Sequence, residues 1–162
     1  MKEAYRIGNG IDIHPLVQDR DLVVGGIKID HHLGSDGHSD GDALIHALID
    51  ALLGAVGLGD IGEHFPSNDP RYEGIDSVDL LKETATLLKR DGWKLVNLDA
   101  TIIAEKPHLK EYVDAMSKKL AKGLSVDSSQ INVKAKTNDG LGFLGAGDGI
   151  AVWAVAIVTE LR

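Results

Sequence analysis

Nine consecutive apolar residues, Ile150 to Val158, form the longest uninterrupted hydrophobic run of the chain and stop at Thr159 and Glu160. A membrane span needs ~20 such residues, so this run reads as a strand buried inside a folded domain. The chain has 162 residues, enough for one domain over 1–162 with a core that needs no cross-links. Cysteine is absent, which excludes disulfides, thiolate zinc sites and thiol nucleophiles. No charged stretch followed by an apolar one opens the sequence, so a secretory leader is not expected. The net charge of −8 argues against non-specific nucleic-acid binding, which depends on lysine and arginine at phosphates. A soluble, cytoplasmic domain with neither nucleic acid nor membrane as partner is the expectation.

Periodicity divides the rest. Arg6 to Ile13 alternates as a strand, in which Gly8 and Gly10 permit a close backbone approach. Leu22 to Ile29 is extended around a Gly25-Gly26 turn. His31 to Gly41 is a loop, and from Asp42 the apolar residues Leu44, Ile45, Leu48, Leu52 and Leu53 recur with helical spacing. Asp76 caps a second helix with the stripe Val78, Leu81, Ala85 and Leu88, which Gly92 stops. Leu95 to Ala104 is a strand. Pro107 opens a third helix with the stripe Leu109, Tyr112, Val113, Met116 and Leu120, closed by Gly123. Ile131 to Thr137 is a strand, Asn138 to Gly149 a glycine-rich loop, and the apolar run is the last strand. The order β-β-α-α-β-α-β-β implies an α+β fold, a mixed β-sheet with helices packed on one face.

Chemistry-bearing residues concentrate early. Residues 1–60 hold five of the seven histidines, and ten acids against four bases. Either a solvated acidic face or bound cations account for that bias. Asp12 and His14 are two apart on a strand and share a face. Asp42, His46 and Asp50 are spaced by four along a helix. Such pairs occur on ordinary surfaces, yet Asp12, His14 and His46 together make a three-ligand zinc set with an open fourth position, with Asp50 a candidate partner for a histidine ring N–H. Gly37-His-Ser-Asp-Gly-Asp42 precedes the helix; its free N–H groups, His38 and Ser39 suit an anion, although a plain cap accounts for Ser39 or Asp40. Gly140-Leu-Gly142-Phe-Leu-Gly145 fits a dinucleotide fingerprint but leads into a strand, so it fails that motif's context. Lys136, Thr137 and Asp139 offer ammonium, hydroxyl and carboxylate for phosphate or cation, or an ordinary polar strand end. No nucleophile elbow and no metalloprotease helix occur. Metal ligands, phosphate binders and glycines fit phosphoryl chemistry.

These segments resemble the 2-C-methyl-D-erythritol 2,4-cyclodiphosphate synthase family. The match runs through Arg6-Ile-Gly-Asn-Gly-Ile-Asp-Ile-His14, Gly37 to Asp42 with His46, Asp50-Ala-Leu-Leu-Gly54, and Leu58-Gly-Asp-Ile-Gly62 with Phe65-Pro66. It continues through Asp99 to Pro107 and Asn132-Val-Lys-Ala-Lys-Thr-Asn138 with Leu141-Gly-Phe143, nearly the whole chain in family order. The resemblance implies zinc on Asp12, His14 and His46, one per chain, and magnesium or manganese near Asp139 with the substrate diphosphate. It implies that His38 and Ser39 hold the methylerythritol phosphate end, with His38 and Thr137 catalytic. Asp60, Ile61, Gly62 and Phe65 would line that side. Ala104, Glu105, Lys106, Pro107, His108 and Leu109 would read cytosine, largely through backbone, beside Lys136, Thr137, Asn138, Asp139 and Phe143. The implied reaction is attack of the 2-phosphate of 4-diphosphocytidyl-2-C-methyl-D-erythritol 2-phosphate on the β-phosphorus with loss of CMP. A homotrimer with sites at subunit interfaces is implied too.

The chain departs from the family pattern at four positions. Asp139 is one methylene shorter than the usual glutamate, Asp148 replaces another glutamate, and Ser67 stands for a frequent aspartate. Ala146 replaces an arginine that helps relatives bind isoprenoid diphosphates on the trimer axis, so the resemblance does not imply that side function here. Against the cyclising enzyme stands a non-catalytic, metal-dependent, cytidine-nucleotide-binding trimer. A metal phosphohydrolase is disfavoured, because nothing marks a water-activating base.

Overall fold

The computed structural model describes residues 4–161. Among these residues seven strands and five α-helices follow in the order β1 (Tyr5–Val17), β2 (Leu22–Val24), β3 (Ile27–Ile29), β4 (Gly34–Ser35), α1 (Ala43–Val56), α2 (Ile61–His64), α3 (Ser77–Arg90), β5 (Trp93–Ile103), α4 (Val113–Leu124), β6 (Ile131–Lys136), α5 (Gly142–Ala146) and β7 (Gly149–Glu160). The main sheet has the order β4-β1-β7-β5-β6. β7 lies antiparallel to both β1 and β5, and only β5–β6 is parallel. The Leu22 to Ile29 segment is a separate two-stranded hairpin around Gly25-Gly26. The sheet is mixed, as the sequence led us to expect.

Register explains what each strand buries. Asp12, Val152, Ile102 and Ala135 make one row across β1, β7, β5 and β6; Gly10, Ala154, Ala100 and Val133 make the next. These rows face the helices, and the core there joins Leu44, Leu48, Leu52, Leu81, Met116 and Leu120 to Val152, Ile102 and Leu98. The alternate rows face away. They carry Ile11 with Trp153 and Thr101, then Ile13 with Ala151 and Ile103. Ile7, Ile11, Ile13, Trp153 and Val155 remain exposed, Ile7 by 69% and Trp153 by 45%. The sheet thus has one face filled by helices and one apolar face left open in the single chain.

The nine-residue apolar run is the centre of the sheet, with neighbours on both edges. Its alanines on the helix side are matched by small residues opposite. A Cβ on Gly10 would lie 2.0 Å from the Ala47 carbonyl oxygen, and one on Gly8 2.0 Å from that of Ala51. Helix α1 therefore rests its backbone on the bare backbone of β1, with Ala47, Ala51 and Ala55 forming the small ridge that permits it.

Helix ends differ from the sequence reading in places. α1 runs through Gly54 and stops at a left-handed Gly57, while α3 ends at Arg90 with Asp91 as its C-cap. Pro107 does not open α4: it follows a cis Lys106-Pro107 bond, and the helix begins at Val113. Nor does Gly123 close it, because the helix continues to Leu124 and Ser125 takes the left-handed cap. Packing explains the misplaced stop: Gly123 lies against Leu81 and Val78, where a glycine lets α4 approach α3. The glycine-rich loop contains α5, a turn too short to show in periodicity. Among the described residues no helix is long and apolar enough to cross a membrane.

The contact between α1 and β1 gives a sharp expectation. Gly10→Ala should destabilise the fold by about 3 kcal/mol through overpacking against backbone that cannot yield locally. Gly54→Ala, whose added Cβ meets nothing closer than 4.0 Å, should leave stability unchanged or raise it by roughly 0.5–1 kcal/mol as helix propensity predicts. Urea unfolding of the two variants reads the contrast.

Candidate functional site

Asp12 and His14 lie on the helix side of β1, continuing the face of Gly8 and Gly10. His46 comes from α1, one residue before Ala47. Because that helix sits so close, Asp12 Oδ2 is 2.8 Å from His14 Nε2 and 3.2 Å from His46 Nδ1. The two ring nitrogens are 3.2 Å apart. One donor atom from each of the three residues lies within 4.8 Å of the others. Two imidazole nitrogens and a carboxylate oxygen converging in this way can hold a divalent cation.

Hydrogen bonds decide which nitrogen each ring turns inward. His14 Nδ1–H donates to the Asp36 carbonyl at 2.5 Å, so its Nε2 faces Asp12. For His46 the deduction takes one more step. Ser77 Oγ donates to Asp40 Oδ1 at 2.5 Å, which uses the hydroxyl proton. At 3.0 Å from His46 Nε2, that oxygen can then only accept, so His46 carries its proton on Nε2 and presents a lone pair at Nδ1. Ser39 Oγ, also 3.0 Å from Nε2, completes the cradle. Both rings thus arrive in the tautomer that a metal requires. When the inward nitrogens carry protons instead, the rings donate to Asp12: burial opposes charge on its carboxyl, but these hydrogen bonds and the charge on the two imidazoles more than offset it and hold it at about 2. Burial likewise opposes protonation of His14, yet the Asp12 carboxylate raises its pKa above the usual value.

The expected residues fall into two groups. Asp12, His14, His38, Ser39, His46, Ile61, Gly62 and Phe65 share one recess of about 240 Å³, closed by Ser67, Tyr72 and Leu80. Asp60 caps the short α2 through the Glu63 N–H. Asp50 accepts the Ile61 N–H at 2.7 Å and so anchors α2; among the described residues it makes no hydrogen bond to a histidine ring. Ala104, His108, Leu109, Lys136 and Thr137 line a second recess of about 370 Å³. Beside it, Glu105 Oε2 accepts the Asn138 N–H at 3.1 Å and the Gly140 N–H at 3.4 Å. Thr137 Oγ1 lies 3.4 Å from Asp139 Oδ1, Lys106 Nζ is 3.2 Å from His108 Nε2, and Phe143 stands exposed on α5. The recesses open at the same end of the sheet, since His14, Ile150, Ala151, Ile103 and Lys136 are register neighbours. They lie on strands three places apart, ~14 Å at the usual spacing, and have no lining residue in common.

Sequence reasoning missed Ser77, Tyr72 and Leu80, and read Asp40 only as a cap. Ser77 follows the Asp76 N-cap of α3, where a serine is unremarkable. Nothing local links it to Asp40 or His46 across more than thirty residues.

The model of the YgbB family matches residues 5–159. The chain belongs to that family. A 2-C-methyl-D-erythritol 2,4-cyclodiphosphate synthase of Synechocystis sp. is 54% identical over 157 residues, covering 97% of this chain and 98% of that protein. IspF of Plasmodium falciparum, solved as a CDP complex, superposes with a TM-score of 0.86 at 33% identity over the full length of both chains. The bifunctional IspDF of Campylobacter jejuni gives a TM-score of 0.95 at 38% identity, over 99% of this chain and 44% of that longer one. As a member, this chain is an enzyme that forms a cyclodiphosphate in isoprenoid biosynthesis.

Ser77→Ala leaves His46 Nε2 with Ser39 alone. Removing such a hydrogen bond behind a metal-binding imidazole costs roughly 10–100-fold in metal affinity, and competition against a chromogenic chelator should show a loss in that range without unfolding.

Proposed function

We propose that this chain converts 4-diphosphocytidyl-2-C-methyl-D-erythritol 2-phosphate to 2-C-methyl-D-erythritol 2,4-cyclodiphosphate and CMP, at sites completed between the subunits of a cyclic trimer. The observation that carries the reading is the convergence of Asp12, His14 and His46, with both rings held in the metal-binding tautomer, on a recess that also contains His38 and Ser39. A zinc ion on these three ligands and a magnesium or manganese ion at Asp139 would polarise the diphosphate and neutralise charge as it shifts between phosphates.

The chain's own groups do the positioning. The 2-phosphate oxygen forms a bond to the β-phosphorus while the bond to the CMP oxygen breaks, so no water is consumed. His38 and Ser39, on the loop before α1, hold the attacking phosphate end. Ile61, Phe65, Tyr72 and Leu80 give the recess apolar walls, which keep water from competing with the internal nucleophile. On the other side, Lys136 and Thr137 hold the departing CMP phosphate. Glu105 fixes the Asn138–Gly140 turn through two N–H groups, setting the place of Asp139. Ala104 and Leu109 are buried and form the floor against which backbone groups of residues 104–109 read the cytosine.

Two features support the trimer. The metal-side recess, about 240 Å³, is below the ~300–1,000 Å³ of a complete ligand site, and the cytidine-side recess lies about three strands away. The open sheet face of Ile7, Ile11, Ile13, Trp153 and Val155 is a contiguous apolar surface of the kind that marks association. A head-to-tail contact that closes in a ring sets unlike surfaces together. It thereby joins the metal half of one copy to the cytidine half of the next.

Incubation with the cytidine diphosphate substrate, followed by phosphorus NMR, should give CMP and a cyclic diphosphate in equal amounts; binding without turnover would instead favour a nucleotide-binding protein. About one zinc per chain should be present and should be lost in a His14→Ala, His46→Ala double variant by elemental analysis. Asp139→Ala should lower kcat at every magnesium concentration while zinc content stays.

Subunit exchange tests the assembly. His46→Ala and Thr137→Ala, each inactive alone, should recover roughly a quarter of parental activity when co-refolded in equal amounts, because each interface draws its two halves independently. Hybrid trimers with no activity would place each site within one chain.

A further inference from the structure

The loop that carries His38 and Ser39 has no regular secondary structure of its own, yet it holds both substrate-facing side chains and the carbonyl that orients His14. Its backbone carbonyls divide by parity. Those of two even-numbered residues have partners other than Arg20: Asp36 accepts from His14 Nδ1 at 2.5 Å, and His38 accepts the Gly74 N–H at 3.0 Å. Those of odd-numbered residues meet one guanidinium. Arg20 Nη2 donates to the Gly37 carbonyl at 2.5 Å and to the Ser39 carbonyl at 3.3 Å, and Nε lies 3.4 Å from the Ser35 carbonyl.

Arg20 reaches that position by a tight backbone contact. A Cβ on Gly34, at the start of β4, would lie 2.3 Å from the carbonyl oxygens of Arg20 and Asp21. The Asp19–Asp21 turn therefore lies directly against β4. Acids flank Arg20 in sequence, but Asp21 pairs with Lys28. Among the described residues every hydrogen bond recorded for the Arg20 side chain goes to a backbone carbonyl of this loop.

We propose that Arg20 is a positioning residue for the cyclisation: its guanidinium clamps the 35–39 backbone from behind, and so fixes the Asp36 carbonyl against His14 and sets His38 and Ser39 over the recess. It touches neither substrate nor metal in this role. A planar fork with several fixed donors suits three carbonyls spread along an extended segment, whereas an ammonium is a compact point charge without that fixed fork. The clamp borders a solvent-open polar recess of about 570 Å³ whose walls include Arg20, Asp21, His32, Ser39 and Asp40. A small cation can therefore enter from solvent when the side chain is removed.

The inference rests on the metal assignment above for its effect on His14, and on the enzyme's activity for the rest, so the test reads both. Arg20→Ala and Arg20→Lys are compared with the parent for kcat and KM, for the rate of zinc loss to 4-(2-pyridylazo)resorcinol, and for the visible spectrum after cobalt replaces zinc. Expected for Arg20→Ala is a kcat lower by roughly 10–100-fold, the range seen when support behind a metal ligand is lost. Zinc loss should be faster by a similar factor and the cobalt bands should be altered, while zinc stoichiometry and the urea midpoint stay near the parent's. Guanidinium chloride at non-denaturing concentration should restore part of kcat to Arg20→Ala, and Arg20→Lys should remain impaired. Parental kcat in Arg20→Ala would overturn the proposal. Full activity in Arg20→Lys would also overturn it, since charge alone would then suffice. A parent protein without zinc would sink the metal assignment instead, and kcat with its guanidinium rescue would still decide the role of Arg20.

Discussion

Everything at the site depends on how closely α1 lies on β1. The strand gives up side chains at Gly8 and Gly10, and the helix offers only methyl groups along Ala47, Ala51 and Ala55, so the two backbones meet where larger residues would hold them apart. A strand repeats every two residues and a helix every 3.6. The face that begins with two glycines therefore continues as Asp12 and His14, and the residue beside the alanine ridge is His46. The Asp12, His14 and His46 cluster is the polar end of a packing interface whose apolar end is made of glycine and alanine. Its geometry is as rigid as that interface, because moving His46 means lifting the helix from the sheet.

How much of this the sequence disclosed depended on range. Period two on β1 put Asp12 and His14 on one face, and the paired glycines announced a close backbone approach, since both are properties of a single element. The Gly25-Gly26 hairpin and the Asp76 cap were legible for the same reason. What escaped was set by contacts between distant segments. Ser77 matters because its hydroxyl donates to Asp40 and is left as an acceptor for His46, a relation across three elements. Gly123 looked like a helix stop, yet tertiary contact with Leu81 and Val78 keeps it in the middle of a turn. Pro107 suited a first helical turn by its fixed φ, but the chain passes through a 3-10 turn at Lys110–Tyr112 before the α-helix begins at Val113. α2 and α5 are too short for any periodic signal.

The acidic bias of the first sixty residues has an explanation in neither a solvated face nor bound cations alone. Asp42 is wholly buried and takes N–H groups from Gly25, Gly26 and Ile45. Burial pushes its carboxyl up to about 6 against the pull of those same donors. Asp50 holds α2 by the Ile61 N–H, Asp60 caps it, and Asp40 takes both the N–H and the hydroxyl of Ser77. Carboxylates here serve as acceptors for stray backbone amides, binding loops to helix starts around Asp12, His14 and His46. Arg20 does the complementary task for stray carbonyls. With so many loops converging at one end, backbone groups lacking a strand or helix partner accumulate there, and charged side chains meet that need.

The sheet also keeps its two ends apart in purpose. Tyr5 pairs with Thr159 and Trp93 with Glu160, so the first and last described strands begin and finish side by side, and the Thr159 hydroxyl donates to the Ala4 carbonyl at 3.0 Å. From Tyr5 to His14 the strand extends ~30 Å at the usual rise. The end of the sheet at Tyr5 and Glu160 therefore lies opposite Asp12 and His14, away from both recesses. The Campylobacter jejuni protein, in which a unit of this fold occupies 44% of a bifunctional chain, is an architecture that such a placement tolerates without remodelling the site.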